Sequence, residues 1–333
     1  MKALVYLGPR RMELQDVPEP TPGAGEVVIA TAASAICGSD LHGFREASPR
    51  RIPPLIMGHE TVGAIAGIGD GVDAARIGRR VVLRPVLACG ACSACRTGRT
   101  NICNQGRLVG RELPGGFAER FTVPEAAAVD IGADVPDENA TLVEPLANAI
   151  HVTSRAVRRE EDLLVIGAGP IGTLLARMSL ERGAANVFIT DRVQRRLELA
   201  REQGASPIGA DRVEEQIRDV THGEGVDVVI DAVGVHATWD LAIRAVRRGG
   251  RIEMVGLGTA AATVDSYGVI GKEIAITGSY AWVNDEFSAA VEMIQAGAID
   301  TTGWFTRSTF AEGQQAFEQL VDSTDRFKTV LLP

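Results

Sequence analysis

The chain has 333 residues, 45% hydrophobic and 23% charged, which is ordinary for a globular protein and enough for two domains. Its 43 acidic against 34 basic side chains leave a formal charge of −9, which argues against a nucleic-acid partner or an anionic membrane surface. No apolar stretch is long enough to span a bilayer, and five clustered cysteines in an acidic chain favour metal over disulfides, so a cytoplasmic protein is expected.

In chain order, Met1 to Leu7 is an apolar run cut by Gly8 and Pro9; it reads as a first strand, too short for a signal segment. Glu26 to Ser34 and Arg79 to Arg84 are β-branched runs bounded by glycine and proline, and predict strands. Between them stand Cys37 and the triplet Gly58-His59-Glu60. One thiolate, one imidazole and carboxylates leave a zinc coordination position open for chemistry. Cys89, Cys92, Cys95 and Cys103 follow, with gaps of two, two and seven residues. Four thiolates at such spacings close a tetrahedron around a second zinc and leave no open position, so this set staples a loop.

From residue 160 the pattern changes. Strands are predicted at 163–166, 187–190, 227–231, 251–255 and 273–277, and helices at 171–181 and 194–203, the latter stopped by Gly204. Alternating strands and helices imply a parallel sheet covered on both faces. The first strand runs into Gly167-Ala-Gly169-Pro170-Ile171-Gly172, a glycine-rich turn that opens a helix. The first glycine permits the turn, the second lets backbone approach a pyrophosphate, and the third lets helix pack on strand. The next strand ends in Asp191, the right place for a carboxylate that accepts from ribose hydroxyls and repels a 2′-phosphate. NAD is therefore expected over NADP, with Arg192, Arg195 and Arg196 as groups that cover the adenine or attract a phosphate. A last helix is predicted at 286–296.

The motifs Cys37-Gly-Ser39-Asp-Leu-His42, Gly58-His59-Glu60, the four-cysteine lobe, Glu144-Pro-Leu and the glycine-rich turn together resemble the zinc-containing medium-chain dehydrogenases, in the sorbitol, threonine and butanediol dehydrogenase branch. The resemblance covers essentially the whole chain. It implies an α/β protein with a GroES-like, β-rich catalytic domain over 1–148 with 282–333, a doubly wound Rossmann domain over 149–281, and the active site in the cleft between them. It implies two zinc ions per chain and NAD. Cys37 and His59 would bind the catalytic zinc, with Glu60 and Glu144 completing the coordination; which carboxylate ligates directly stays open. Glu60 alternatively orients His59, and Glu144 alternatively answers a helix dipole. Ser39 and His42 match the family's proton relay. A homodimer or homotetramer is expected.

The function implied is hydride transfer between a secondary alcohol (a polyol, sugar alcohol or diol) and NAD. One departure matters: polyol enzymes of the branch often carry an aromatic residue directly after the relay histidine, and here that position is Gly43, followed by Phe44 and Arg45. A threonine-type amino-alcohol dehydrogenase is the alternative within enzymes, with Arg45 as carboxylate partner. A non-catalytic zinc- and dinucleotide-binding redox sensor is the alternative from another class.

Overall fold

The computed structural model describes residues 1–322 and 326–333. The chain divides into two compact units, Met1–Glu144 with Val283–Pro333, and Pro145–Trp282.

The second unit is built on a six-stranded sheet in the order Ser206–Gly209, Asn186–Asp191, Asp162–Ile166, Val226–Asp231, Val246–Met254, Ala275–Gly278. Every pairing is parallel, so each connection must cross over, and helices at Pro170–Glu181, Gln194–Glu202, Val213–Val220, His236–Ala245 and Ser266–Lys272 do so. Covered on both faces, Leu163, Leu164 and Val165 are fully buried, which explains why they read as a continuous apolar run. The order reverses at Asp162–Ile166, where the glycine-rich turn leaves the sheet; this is the doubly wound arrangement. Two departures from the predicted elements matter here. The helix Ser266–Lys272 runs on until Glu273 takes a left-handed φ of 53°, so the strand predicted from 273 begins at Ala275. The helix Val143–Ala156, of which only a possible start at Glu144 is anticipated, carries Pro145 in its first turn, where no intrahelical N–H is needed.

The first unit holds a seven-stranded sheet in which Glu26–Ala35 pairs antiparallel with Glu60–Ile68, with Arg120–Pro124 and with the C-terminal Lys328–Leu332. Register decides what meets at one end of it. Ala35 stands opposite Glu60, and Ile36 N–H donates to the Thr329 carbonyl at 2.9 Å. Cys37, Glu60 and Lys328 are thereby delivered to one place from three strands. Tyr6, Phe44, Phe117, Phe310 and Phe317 fill the core beneath.

Candidate active site

Cys37 caps the helix Gly38–Arg45, and the Asp40 carboxylate reaches back to accept from Cys37 N–H at 3.2 Å. His59 and Glu60, at the start of their strand, face this cap. Donor atoms of Cys37, His59 and Glu60 all lie within 4.8 Å of one another. His59 and Glu60 are 3% and 1% exposed. His59 Nδ1 lies 3.6 Å from Asp40 Oδ1, beyond hydrogen-bonding distance, and is a buried nitrogen with no partner. The Asp40 carboxylate is thus a near neighbour of that nitrogen.

Charges crowd this site. Burial, then the Glu60 carboxylate, push the Cys37 thiol up to about 12, against the pull of Lys328. Burial likewise raises Glu144 well above the ordinary carboxylate range; His59 opposes that, and Glu60 and Cys37 add to it. Glu144 sits in the first turn of its helix, 7% exposed, outside the three-residue donor set but inside its field. Among the described residues the buried cation that pairs with Glu60 is Lys328, whose Nζ meets Glu60 Oε2. Burial works against the lysine's charge, and Glu60 and Cys37 outweigh it, so its pKa is raised. A thiol, an imidazole and a carboxylate, with the Glu144 carboxyl nearby, form a donor set that suits a divalent cation with an open position.

Ser39 and His42 stand three residues apart on the helix Gly38–Arg45 and so share a face. Ser39 Oγ accepts from Arg51 Nη2 at 3.1 Å, and the same nitrogen donates to Asp40 Oδ1 at 3.0 Å. His42 is half-buried, with Nδ1 3.8 Å from Glu46. Arg45 is exposed. Sequence reasoning gave no role to Asp40, Arg51 or Lys328. Asp40 was visible inside the Cys37–His42 motif, whereas Arg51 and Lys328 arrive from a loop and from the last strand.

The four-cysteine lobe forms a separate cluster, with Cys89, Cys92, Cys95 and Cys103 donor atoms within 4.8 Å of one another. Cys92 Sγ lies 3.5 Å from Cys95 Sγ and 3.8 Å from Cys103 Sγ. Backbone N–H groups point at the sulfurs: Cys92 N lies 3.4 Å from Cys89 Sγ, and Cys89 N 3.3 Å from Cys103 Sγ. Such donors favour thiolates; those of Cys95 and Asn104 bring Cys92 down to about 6, while burial and the neighbouring thiols push Cys95 up to about 12. The cage fits a tetrahedral zinc.

In the second unit, Gly167 takes φ 97°, and a Cβ on Gly172 would stand 1.7 Å from the Gly167 carbonyl oxygen. Gly169, the cap of the helix that Pro170 and Ile171 begin, faces open space, so backbone can approach a phosphate there. Asp191 Oδ2 accepts from Ala168 N–H at 2.8 Å, and Oδ1 from Val193 N–H at 2.9 Å. The carboxylate thus ties its own strand to the glycine-rich turn. Arg196 Nη1 lies 3.7 Å from it, Arg195 turns to Glu198, and Arg192 is exposed.

Residues 23–133 match the model of the alcohol dehydrogenase GroES-like domain, and residues 170–296 that of the zinc-binding dehydrogenases. The chain is 37% identical over 287 residues, 84% of each protein, to an L-threonine 3-dehydrogenase of Escherichia fergusonii. It superimposes on an Escherichia coli alcohol dehydrogenase solved with NADH with a TM-score of 0.91 at 30% identity, covering 100% of this chain and 99% of that one. It is also similar to 2R,3R-butanediol dehydrogenase from Bacillus subtilis, with a TM-score of 0.89 at 25% identity over 100% and 99% of the chains.

Proposed function

We propose, for a chain that belongs to the zinc-containing medium-chain alcohol dehydrogenase family, that it oxidises a secondary alcohol bearing a neighbouring polar group, at the Cys37–His59–Glu60 site. The chain is an oxidoreductase, and its cofactors are zinc and NAD. The observation that carries the reading is the convergence of those three donors, with His59 and Glu60 buried and Cys37 half-buried.

Cys37, His59 and Glu60 would hold the catalytic zinc, with Glu144 as the further carboxylate, and the four cysteines of the lobe a structural zinc. When bound, zinc would supply Lewis acidity and NAD a hydride acceptor. Ser39 accepts the hydroxyl proton and His42 passes it outward along the same helix face. Gly167, Gly169 and Gly172 shape the turn that receives the pyrophosphate, and Asp191 meets the adenosine ribose, with Arg192 and Arg196 flanking it. The substrate is a small molecule.

A polyol, sugar alcohol or diol fits this chemistry, and the butanediol enzyme among its structural relatives supports it. The threonine dehydrogenase relative favours a second reading, L-threonine. NADH formation measured against polyols, diols and L-threonine separates them: turnover of threonine alone would discard the polyol reading. Activity with none of them would favour a redox sensor.

The chain is further proposed to act in the cytoplasm as a homodimer or homotetramer. Among the described residues no helix is long and apolar enough to cross a membrane. The edge strand Ala275–Gly278 is exposed along its length, and beside it on the preceding helix Tyr267 and Ile270 are 88% and 73% exposed. An open apolar edge of that kind suits pairing with a second copy. Sedimentation of the native protein as a monomer would remove the oligomer.

A further inference from the structure

We infer that Arg51 is a positioning residue that orients the Ser39 hydroxyl, and that Gly43 is glycine to make room for it. The inference rests on the reading of Ser39 as first proton carrier.

Arg51 is 4% exposed, in the loop between the helix Gly38–Arg45 and the strand Leu55–Ile56. Its stem lies against the helix at Gly43. A Cβ there would stand 2.6 Å from Arg51 Cγ and 2.9 Å from Arg51 Cβ, so any larger residue expels the arginine. The absence of an aromatic residue after His42 and the buried arginine are therefore one feature. At the tip, Nη2 donates to Ser39 Oγ at 3.1 Å and to Asp40 Oδ1 at 3.0 Å. Elsewhere the guanidinium is poorly served: Nε has no partner, and Nη1 meets the Arg50 carbonyl only at 3.5 Å. Asp40, fully buried, balances the charge. Charge balance alone needs Asp40 and not Ser39.

A serine hydroxyl has one O–H and two lone pairs, and left alone it rotates. Arginine has donors only and keeps its protons. Its N–H occupies one lone pair of Ser39, and the serine proton cannot turn towards it. One lone pair and one O–H remain, aimed away from Arg51. A relay needs that inventory. Ser39 takes the substrate's proton on the remaining lone pair and releases its own to the next acceptor, ending as it began.

The test is a double-mutant cycle on the zinc- and NAD-loaded enzyme, with Arg51→Lys as the first variant, because lysine keeps a cation for Asp40 and loses the planar fork. Gly43→Ala is the second; it displaces the arginine stem without changing any charge. Each should lower kcat about tenfold to hundredfold, the cost of misplacing a reacting group by about 1 Å, with KM unchanged and a larger solvent isotope effect. In a Ser39→Ala background neither should lower kcat further. Visible bands of the cobalt-substituted protein should stay as in the native enzyme. An equal loss of kcat with and without Ser39 would make Arg51 structural and overturn the inference, as would a native kcat in both variants or loss of the cobalt bands in both. A native kcat in Ser39→Ala alone would instead bring down the relay reading beneath it.

Discussion

Lys328 Nζ forms an ion pair with Glu60, and the two side chains are 4% and 1% exposed. The lysine comes from the last strand and the glutamate from the metal-facing end of another, so the C-terminus holds a prospective zinc ligand in place. Removing one partner of such a pair leaves a buried charge uncompensated, at about 3–5 kcal/mol. Lys328→Met should lose about that much stability in chelator-treated protein, by denaturant unfolding. Lys328→Met combined with Glu60→Gln should recover most of it. A double variant as unstable as the single would show that packing, not charge, matters at Lys328.

This pair also shows what sequence could and could not convey. Cys37, Ser39 and His42 lie within one helical turn and its cap, and the lobe cysteines within one loop, so spacing alone announced them. The alternation of strand and helix after residue 160 likewise announced the parallel sheet, because burial on both faces leaves an apolar run in the local sequence. Lys328 meets Glu60 only through the register of three strands, and Arg51 meets Ser39 only through a loop folded over Gly43. Nothing local marks either residue. The strand placed at 273 was displaced because Glu273 adopts a left-handed cap, a conformation that its residue type does not advertise.

The two cysteine sets should separate on mutation. Cys95→Ser should cost one zinc per chain and mainly lower Tm, because its cage is closed. Cys37→Ser should cost the other zinc and mainly remove turnover. Elemental analysis and thermal unfolding of both variants check this, and an unmutated protein purified without chelators that holds fewer than two zinc ions would contradict it.

Asp191→Ala should narrow the preference for NAD over NADP, because ribose acceptor and repulsive charge vanish together. The variant should also lose about 1–3 kcal/mol of stability, since the N–H groups of Ala168 and Val193 lose their acceptor. Asp191→Asn keeps an acceptor and should lose less. Dinucleotide titration by fluorescence and denaturant unfolding report the two effects; better turnover of NADP by the unmutated protein would give the cofactor choice to the arginines.

Asp227 supplies a pH test away from any metal. Burial works to raise its pKa, but the Arg247 guanidinium at 2.7 Å and the Asp162 N–H at 2.8 Å outweigh it and hold the carboxyl below its ordinary value. A depressed carboxylate contributes stability that is present above its unfolded pKa and is lost as pH falls through the folded one. Asp227→Asn should therefore cost about 1–2 kcal/mol at neutral pH and progressively less below about pH 4. A cost independent of pH would mean that the hydrogen-bond geometry, and not the charge, matters there.

The central claim is that the buried Cys37–His59–Glu60 site performs a zinc-dependent dehydrogenation with NAD. The most direct measurement is NADH appearance with zinc-replete protein on the secondary alcohol it turns over best, native against Cys37→Ser with the four-cysteine lobe intact. The account predicts turnover by the native protein and its loss in the variant, with the fold and the lobe zinc retained. Undiminished NADH formation by zinc-replete Cys37→Ser would contradict it.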